Sequence, residues 1–148
     1  MKKLGIVFIV AMIVVSMVGC TVENRDYAIG LGNSALINET ESITVLRVNK
    51  EETSIAVCVN LNFTTLKLKD FNEIYISKSI VDSPKIELII EKTKEQNSDE
   101  VFEKSFVGEI TLYFENDMLE NESLSDYLME FVIVDEQGIS KSYKFLLA

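Results

Sequence analysis

Residues 54–63, Ser-Ile-Ala-Val-Cys-Val-Asn-Leu-Asn-Phe, leave the backbone little choice. Ile55, Val57, Val59, Leu61 and Phe63 recur at every second position, with Ser54, Ala56, Cys58, Asn60 and Asn62 between them. In an extended chain successive side chains point to opposite faces, so this alternation makes a strand with one strongly apolar face. A helix would scatter the same residues around its circumference. A strand of this kind needs a second layer to cover its apolar face, and that requirement shapes the rest of the chain.

The same period returns repeatedly. Residues 42–48, SITVLRV, are rich in β-branched side chains and are joined to the first run by the polar turn 49–52, which predicts a hairpin. Leu66 and Leu68 alternate with Lys67 and Lys69, and Ile74 and Ile76 alternate with Glu73 and Tyr75; both segments are expected as strands. The turn Asp82-Ser83-Pro84 holds the only proline. After it, Ile86, Leu88 and Ile90 alternate with Glu87, Ile89 and Glu91, again as in a half-buried strand. Residues 92–104 are charged and aperiodic and read as the longest loop. Alternation resumes through Ile110, Leu112 and Phe114, with Gly108 marking a bulge. Residues 116–126 read as a short helical turn or an irregular crossover, with Met118 and Leu119 capping one end of the core. The dense run 127–134 is expected as a central strand. Residues 135–138 form a hairpin turn with Gly138 where positive φ is needed, and Tyr143, Phe145 and Leu147 share one face of the last strand.

Seven or so short strands with polar turns predict an all-β, antiparallel sandwich over residues 42–148. This stretch resembles an immunoglobulin-like or fibronectin type III-like domain. Tyr127 stands two residues before Met129 and in phase with Phe131 and Ile133, where such folds place a tyrosine corner. The chain has no Trp and a single Cys in this region, so the antibody-type core is absent. A small open barrel is the alternative closure.

Ahead of the domain, Lys2 and Lys3 precede an uncharged run from Leu4 to Gly19, and Cys20 follows. A positive start, an apolar stretch and a small-residue exit make a secretory signal helix. The 16 residues from Leu4 to Gly19 are short of the roughly 20 that span a bilayer comfortably. Met17-Val18-Gly19-Cys20 resembles the lipobox of bacterial lipoproteins, with Met where Leu is usual. The resemblance implies cleavage between Gly19 and Cys20, a diacylglyceryl thioether on Cys20, and a further acyl chain such as palmitate on the freed amine. Residues 1–19 would then be signal peptide, 20–41 a membrane-proximal tether and 42–148 the sandwich; Tyr27, Ile29 and Leu31 alternate, so the alternative is that part of the tether adds a first strand to the sheet. An uncleaved signal anchor and ordinary secretion are the rival readings. On the lipoprotein reading the domain sits on the extracytoplasmic face of the cell membrane.

Removing 19 residues leaves 129, enough for one domain. All 24 acidic residues remain, against 12 of the 14 basic ones, so the mature formal charge is −12. Such a surface repels phosphates, which argues against nucleic acid and against direct binding to anionic headgroups. The chain has no His, which excludes His-based triads and zinc ligands, and it lacks a Gly-rich phosphate loop. No catalytic, metal or cofactor residue is assigned. The nearest thing to a catalytic set is a pair of carboxylates, as in glycoside hydrolases, and with 24 acidic residues such a pair is more readily solvated surface charge. Glu115, Asn116, Asp117, Glu120, Asn121 and Glu122 crowd oxygen ligands suited to calcium, without the EF-hand spacing. Cys58 lies on the less apolar face of its strand and is expected to be partly accessible. Ile89, Val132 and Val134 fall on outward positions, either packed by a flanking segment or available to a partner. The expected function is a non-enzymatic binding or structural module of the cell envelope, anchored by lipid on Cys20 and facing a protein or glycan. The alternative is a carboxylate-dependent envelope enzyme.

Overall fold

The structure is a computed structural model that describes residues 28–80, 82–96 and 101–148. The expected signal peptide, residues 1–19, and Cys20, the expected site of lipid attachment, lie outside the described residues. The chain builds two antiparallel four-stranded sheets. The first has the order β1 (Ser34–Leu36), β2 (Ser42–Lys50), β3 (Ser54–Asn62), β6 (Val107–Glu115); the second has the order β5 (Ile86–Glu87), β4 (Glu73–Lys78), β7 (Tyr127–Val134), β8 (Ser140–Leu146). The chain crosses between sheets after β3, after β5 and after β6. This is the connectivity of an immunoglobulin-like sandwich, with eight strands among the described residues where about seven were expected.

The period-two faces meet in the core. Ile55, Val57, Val59, Leu61 and Phe63 from the first sheet are all buried, as are Ile110, Leu112 and Phe114 beside them. Ile76, Met129, Phe131 and Phe145 face them from the second. A chain of rings ties the layers together. Phe63 stacks on Phe71 at 5.8 Å, Phe71 meets Phe131 edge-on at 5.4 Å, and Phe131 meets Phe145 edge-on at 5.8 Å. β2 keeps its apolar face inward by a bulge: Val45 pairs with Val59 and Arg47 with Cys58, leaving Leu46 without a pair. The extra residue shifts the inward phase from Ile43 and Val45 to Val48.

Four expectations are corrected. First, residues 20–41 are not a tether throughout: from residue 28 they are part of the fold, and the alternative reading, that part of the segment adds a first strand, holds. Ile29 bridges β8 in parallel beside Phe145, Gly32 turns with φ 79° and donates to Val45, and β1 then pairs with β2. This segment closes the side of the sandwich between β8 and β2. Second, Leu66 and Leu68 do not lie on a strand; residues Leu68–Asp70 form a 3-10 turn that buries Leu68. Third, the strand expected over 85–92 stops after Glu87, and helix α1 (Ile90–Gln96) follows. Fourth, the charged segment 92–104 is not a solvated loop throughout, because Thr93, Val101 and Phe102 are buried.

The helix has a local and a tertiary cause. Residues 91–96, Glu-Lys-Thr-Lys-Glu-Gln, favour helix over strand apart from Thr93. β6 is an edge strand, and exposed edges are usually covered. α1 packs along β6: the Ile89 amide donates to Tyr113, Leu88 bridges Phe114, and Lys92 reaches Glu115 at 3.2 Å.

Candidate functional site

Concave regions lie at both ends of the sandwich among the described residues. One, of about 430 Å³, sits where the chain crosses from β3 to β4. Leu68, Phe71, Ile74 and Phe102 make its apolar floor, and its rim carries Lys69, Lys94, Glu73, Glu87 and Glu103. Lys94 stands 5.8 Å from the centre of the Phe102 ring. The rim carboxylates are all exposed, and Glu73 pairs with Lys85 at 3.1 Å. A general acid of a glycoside hydrolase is instead kept protonated by burial.

The buried carboxylate of this end belongs to Glu41, ahead of β2, and its role is structural. Its oxygens accept from the amides of Thr64, Thr65 and Leu66 at 2.8–3.0 Å, from Thr65 Oγ1 at 2.6 Å and from Asn38 Nδ2 at 3.0 Å. Burial alone would raise its pKa. The hydrogen bonds from Thr65, Asn38 and the Leu66 amide outweigh that penalty and hold it down at about 2. Glu41 therefore stays ionised and fastens the β3–β4 crossover to the start of β2. Sequence reading passed over it because nothing in the local pattern distinguishes it from solvated acids; four of its five donors come from residues 23 to 25 positions away.

At the opposite end, β6 leads into β7 through residues 116–126, beside the β4–β5 loop. A cavity of about 220 Å³ is lined there by Lys78, Ile80, Asp82, Ser83, Pro84, Ile86, Met118 and Tyr127. Leu119 is buried, as expected of a cap on the core, but Met118 is 53% exposed and faces this cavity. The loops are stitched together: Ser79 donates to the Asp126 carbonyl at 3.0 Å, Lys78 binds Glu122 at 3.0 Å, and the Lys78 amide donates to Ser83 Oγ at 2.9 Å. The Glu122 contact raises the Lys78 pKa. Asp82 and Asn121 hold positive φ of 64° and 65°, a region that Asp and Asn tolerate better than most residues.

The oxygen ligands considered for calcium do not converge. Glu115 turns to Lys92, Glu122 to Lys78, and Asn116 caps the 3-10 turn Asp117–Leu119 by accepting from Met118. Among the described residues no group of three or more His, Cys, Asp or Glu is placed to hold a metal ion. Tyr127 opens β7 where a tyrosine corner would stand. It is buried, which pushes its pKa up, and Lys78 lies 6.0 Å from its ring centre.

Cys58 points away from the core, as its parity requires, but it is 6% exposed rather than partly accessible. The Arg47–Glu109 pair at 3.5 Å joins the strands on either side of it, and Glu109 Oε2 lies 3.8 Å from its sulfur. Burial raises the thiol pKa, which disfavours the reactive thiolate. On the outer face of the second sheet, Glu87, Tyr75, Glu130 and Lys144 stand opposite one another across four strands. The Tyr75 hydroxyl donates to Glu130, Lys85 covers its ring at 4.6 Å, and burial together with Glu130 pushes its pKa upward. Ile89 and Val132 are half-buried, while Val134 is 40% exposed near the β7–β8 turn. Among the described residues no helix is long and apolar enough to cross a membrane. Comparison with protein-family models, with curated proteins and with solved structures finds no match for this chain.

Proposed function

We propose that this chain is an extracytoplasmic lipoprotein, held at the cell membrane by lipid on Cys20, whose sandwich is a non-catalytic binding or structural module of the cell envelope. The observation that carries the reading is Met17-Val18-Gly19-Cys20 at the end of a signal-like apolar run. Two or three acyl chains anchor a soluble domain stably, whereas one chain holds it only marginally. The fold adds a length constraint. Ala28 already belongs to the described domain, so seven residues separate it from Cys20. At most about 3.6 Å for each of the eight steps puts the start of the described domain within roughly 29 Å of the lipid attachment point. Its partners are then other membrane-proximal envelope components.

The test is an intact mass of protein extracted from native membranes, beside a Cys20→Ala variant. A species starting at Cys20 with acyl mass added, and lost in the variant, supports the reading; an unmodified full-length chain or a freely secreted one refutes it. The second reading is an envelope glycoside hydrolase using the groove carboxylates Glu73, Glu87 and Glu103, favoured only by their shared rim. Release of reducing sugar from envelope glycans that disappears in Glu→Gln variants at these positions would establish it.

A further inference from the structure

The loop end with the smaller cavity combines three features that together specify a partner. Ile80 is 71% exposed and Met118 53% exposed, and both line one cavity whose remaining apolar wall is Pro84, Ile86 and Tyr127. At about 220 Å³ the cavity is below the usual size of a small-molecule site and suits a single inserted side chain. Its surroundings are acidic. Asp82, Asp117, Glu120 and Asp126 are exposed, and none of the four takes part in an ion pair among the described residues. Of the nearby cations, Lys78 is held by Glu122 and Lys85 by Glu73, and Lys144 lines the adjoining pocket on the outer face of the second sheet. The loops are fixed to each other by the Ser79–Asp126 and Lys78–Glu122 contacts, so the surface is formed before anything binds.

Other exposed apolar residues lack this combination. Leu36 and Val107 sit on opposite edges of the first sheet, in one row with Ser42 and Asn62 between them. The larger groove has a rim of mixed sign.

We propose that this end docks a cationic, amphipathic segment of an envelope protein, with one aliphatic or aromatic side chain entering between Ile80 and Met118 and flanking Lys or Arg residues meeting Asp82, Asp117, Glu120 and Asp126. The apolar insertion supplies the hot spot and the charges supply steering and selectivity. This deepens the binding-module reading, on which it rests, by naming the chemistry of the partner.

The experiment titrates full-length protein, extracted from membranes in neutral detergent, with a fluorescent peptide in which one Leu or Phe is flanked by lysines; an equally charged peptide with Ser at the central position is the comparison. The mass of the same preparation reports the lipid anchor independently, so failure of docking and failure of the anchor are separable. Expected are saturable binding of the apolar peptide, weakening with salt, and a loss of about tenfold or more in Ile80→Ser and Met118→Ser variants. These uncharged changes leave the acidic rim intact, and Val107→Ser, at the other end, leaves binding unchanged. Equal binding of both peptides, or binding indifferent to Ile80 and Met118, overturns the proposal in favour of diffuse charge attraction. Concentration-dependent dimers abolished by the same variants, without peptide binding, would assign the surface to a second copy of the chain and overturn it as well.

Discussion

The two ends of the sandwich handle their polar and apolar groups in opposite ways. At the end where β3 crosses to β4, a carboxylate is buried and fully used: Glu41 collects five hydrogen bonds, and the aromatic chain begins directly beneath at Phe63 and Phe71. At the end where β6 crosses to β7, Glu122 pairs with Lys78, but Asp82, Asp117, Glu120 and Asp126 stand in solvent outside any ion pair among the described residues, while Ile80 and Met118 face water beside a cavity. One end uses its charge to hold the fold together. The other leaves charge and apolar surface available, which is how a docking surface differs from a structural joint.

The largest effect should come from the aromatic chain that anchors the first end. Phe131→Ala removes the ring joining Phe71 to Phe145 and should cost about 3–5 kcal/mol in denaturant unfolding. A loss below about 1 kcal/mol would mean that the core tolerates a gap and that the two layers are held elsewhere. Glu41→Ala comes next. It strands the amides of Thr64, Thr65 and Leu66 and should cost about 3 kcal/mol, with little change expected from Glu39→Ala, an exposed neighbour.

Stability should also follow the ionisation of Glu41. Its folded pKa of about 2 lies below the ordinary value of 4.5, so the contribution is fully present above pH 4.5 and is lost as pH falls toward 2. The full span is about 3 kcal/mol. Urea midpoints measured at intervals from pH 6 to pH 2 should decline in that window, and the decline should be shallower in Glu41→Gln. Parallel curves for the two proteins would remove Glu41 from the acid response.

At the other end the effects should be small, which is what gives the comparison its edge. Ile80→Ser and Met118→Ser should change stability by no more than about 0.5 kcal/mol, since both side chains are already largely in water. A larger loss would mark them as parts of the fold. Adding a chelator should leave the melting temperature unmoved, because Glu115 and Glu122 are engaged by Lys92 and Lys78; a clear drop would place a cation in the crossover after all.

What the sequence could reveal depended on how local the cause was. Strands with one core face and one outer face carry their own signature, so β3, β6, β7 and the β7–β8 turn with Gly138 at φ 80° were legible, although the bulge expected at Gly108 is absent: Gly108 pairs with Leu61 in unbroken register. The segment 88–104 was not. Its alternation at Leu88 and Ile90 suits a strand, but an uncovered β6 edge drew it into α1, and Val101 and Phe102 were buried by contacts with segments distant in sequence, among them the Lys69 amide. The candidate site divides in the same way. Acidic residues in 116–126 were visible in sequence, but the cavity beside Met118 was not, because its other wall comes from the β4–β5 loop some forty positions earlier.

The sequence by itself determined the all-β class, the inward faces of most strands and the signal-like start ending at Cys20, because period, turn chemistry and apolar run length act over a few neighbouring residues. Only the tertiary structure decided that the sandwich begins by residue 28, that Glu41 is a buried joint, that Cys58 is shielded, and that Ile80 and Met118 share a cavity. Each of these depends on groups far apart in the chain, and a partner supplied by another strand or loop leaves no trace in the local pattern.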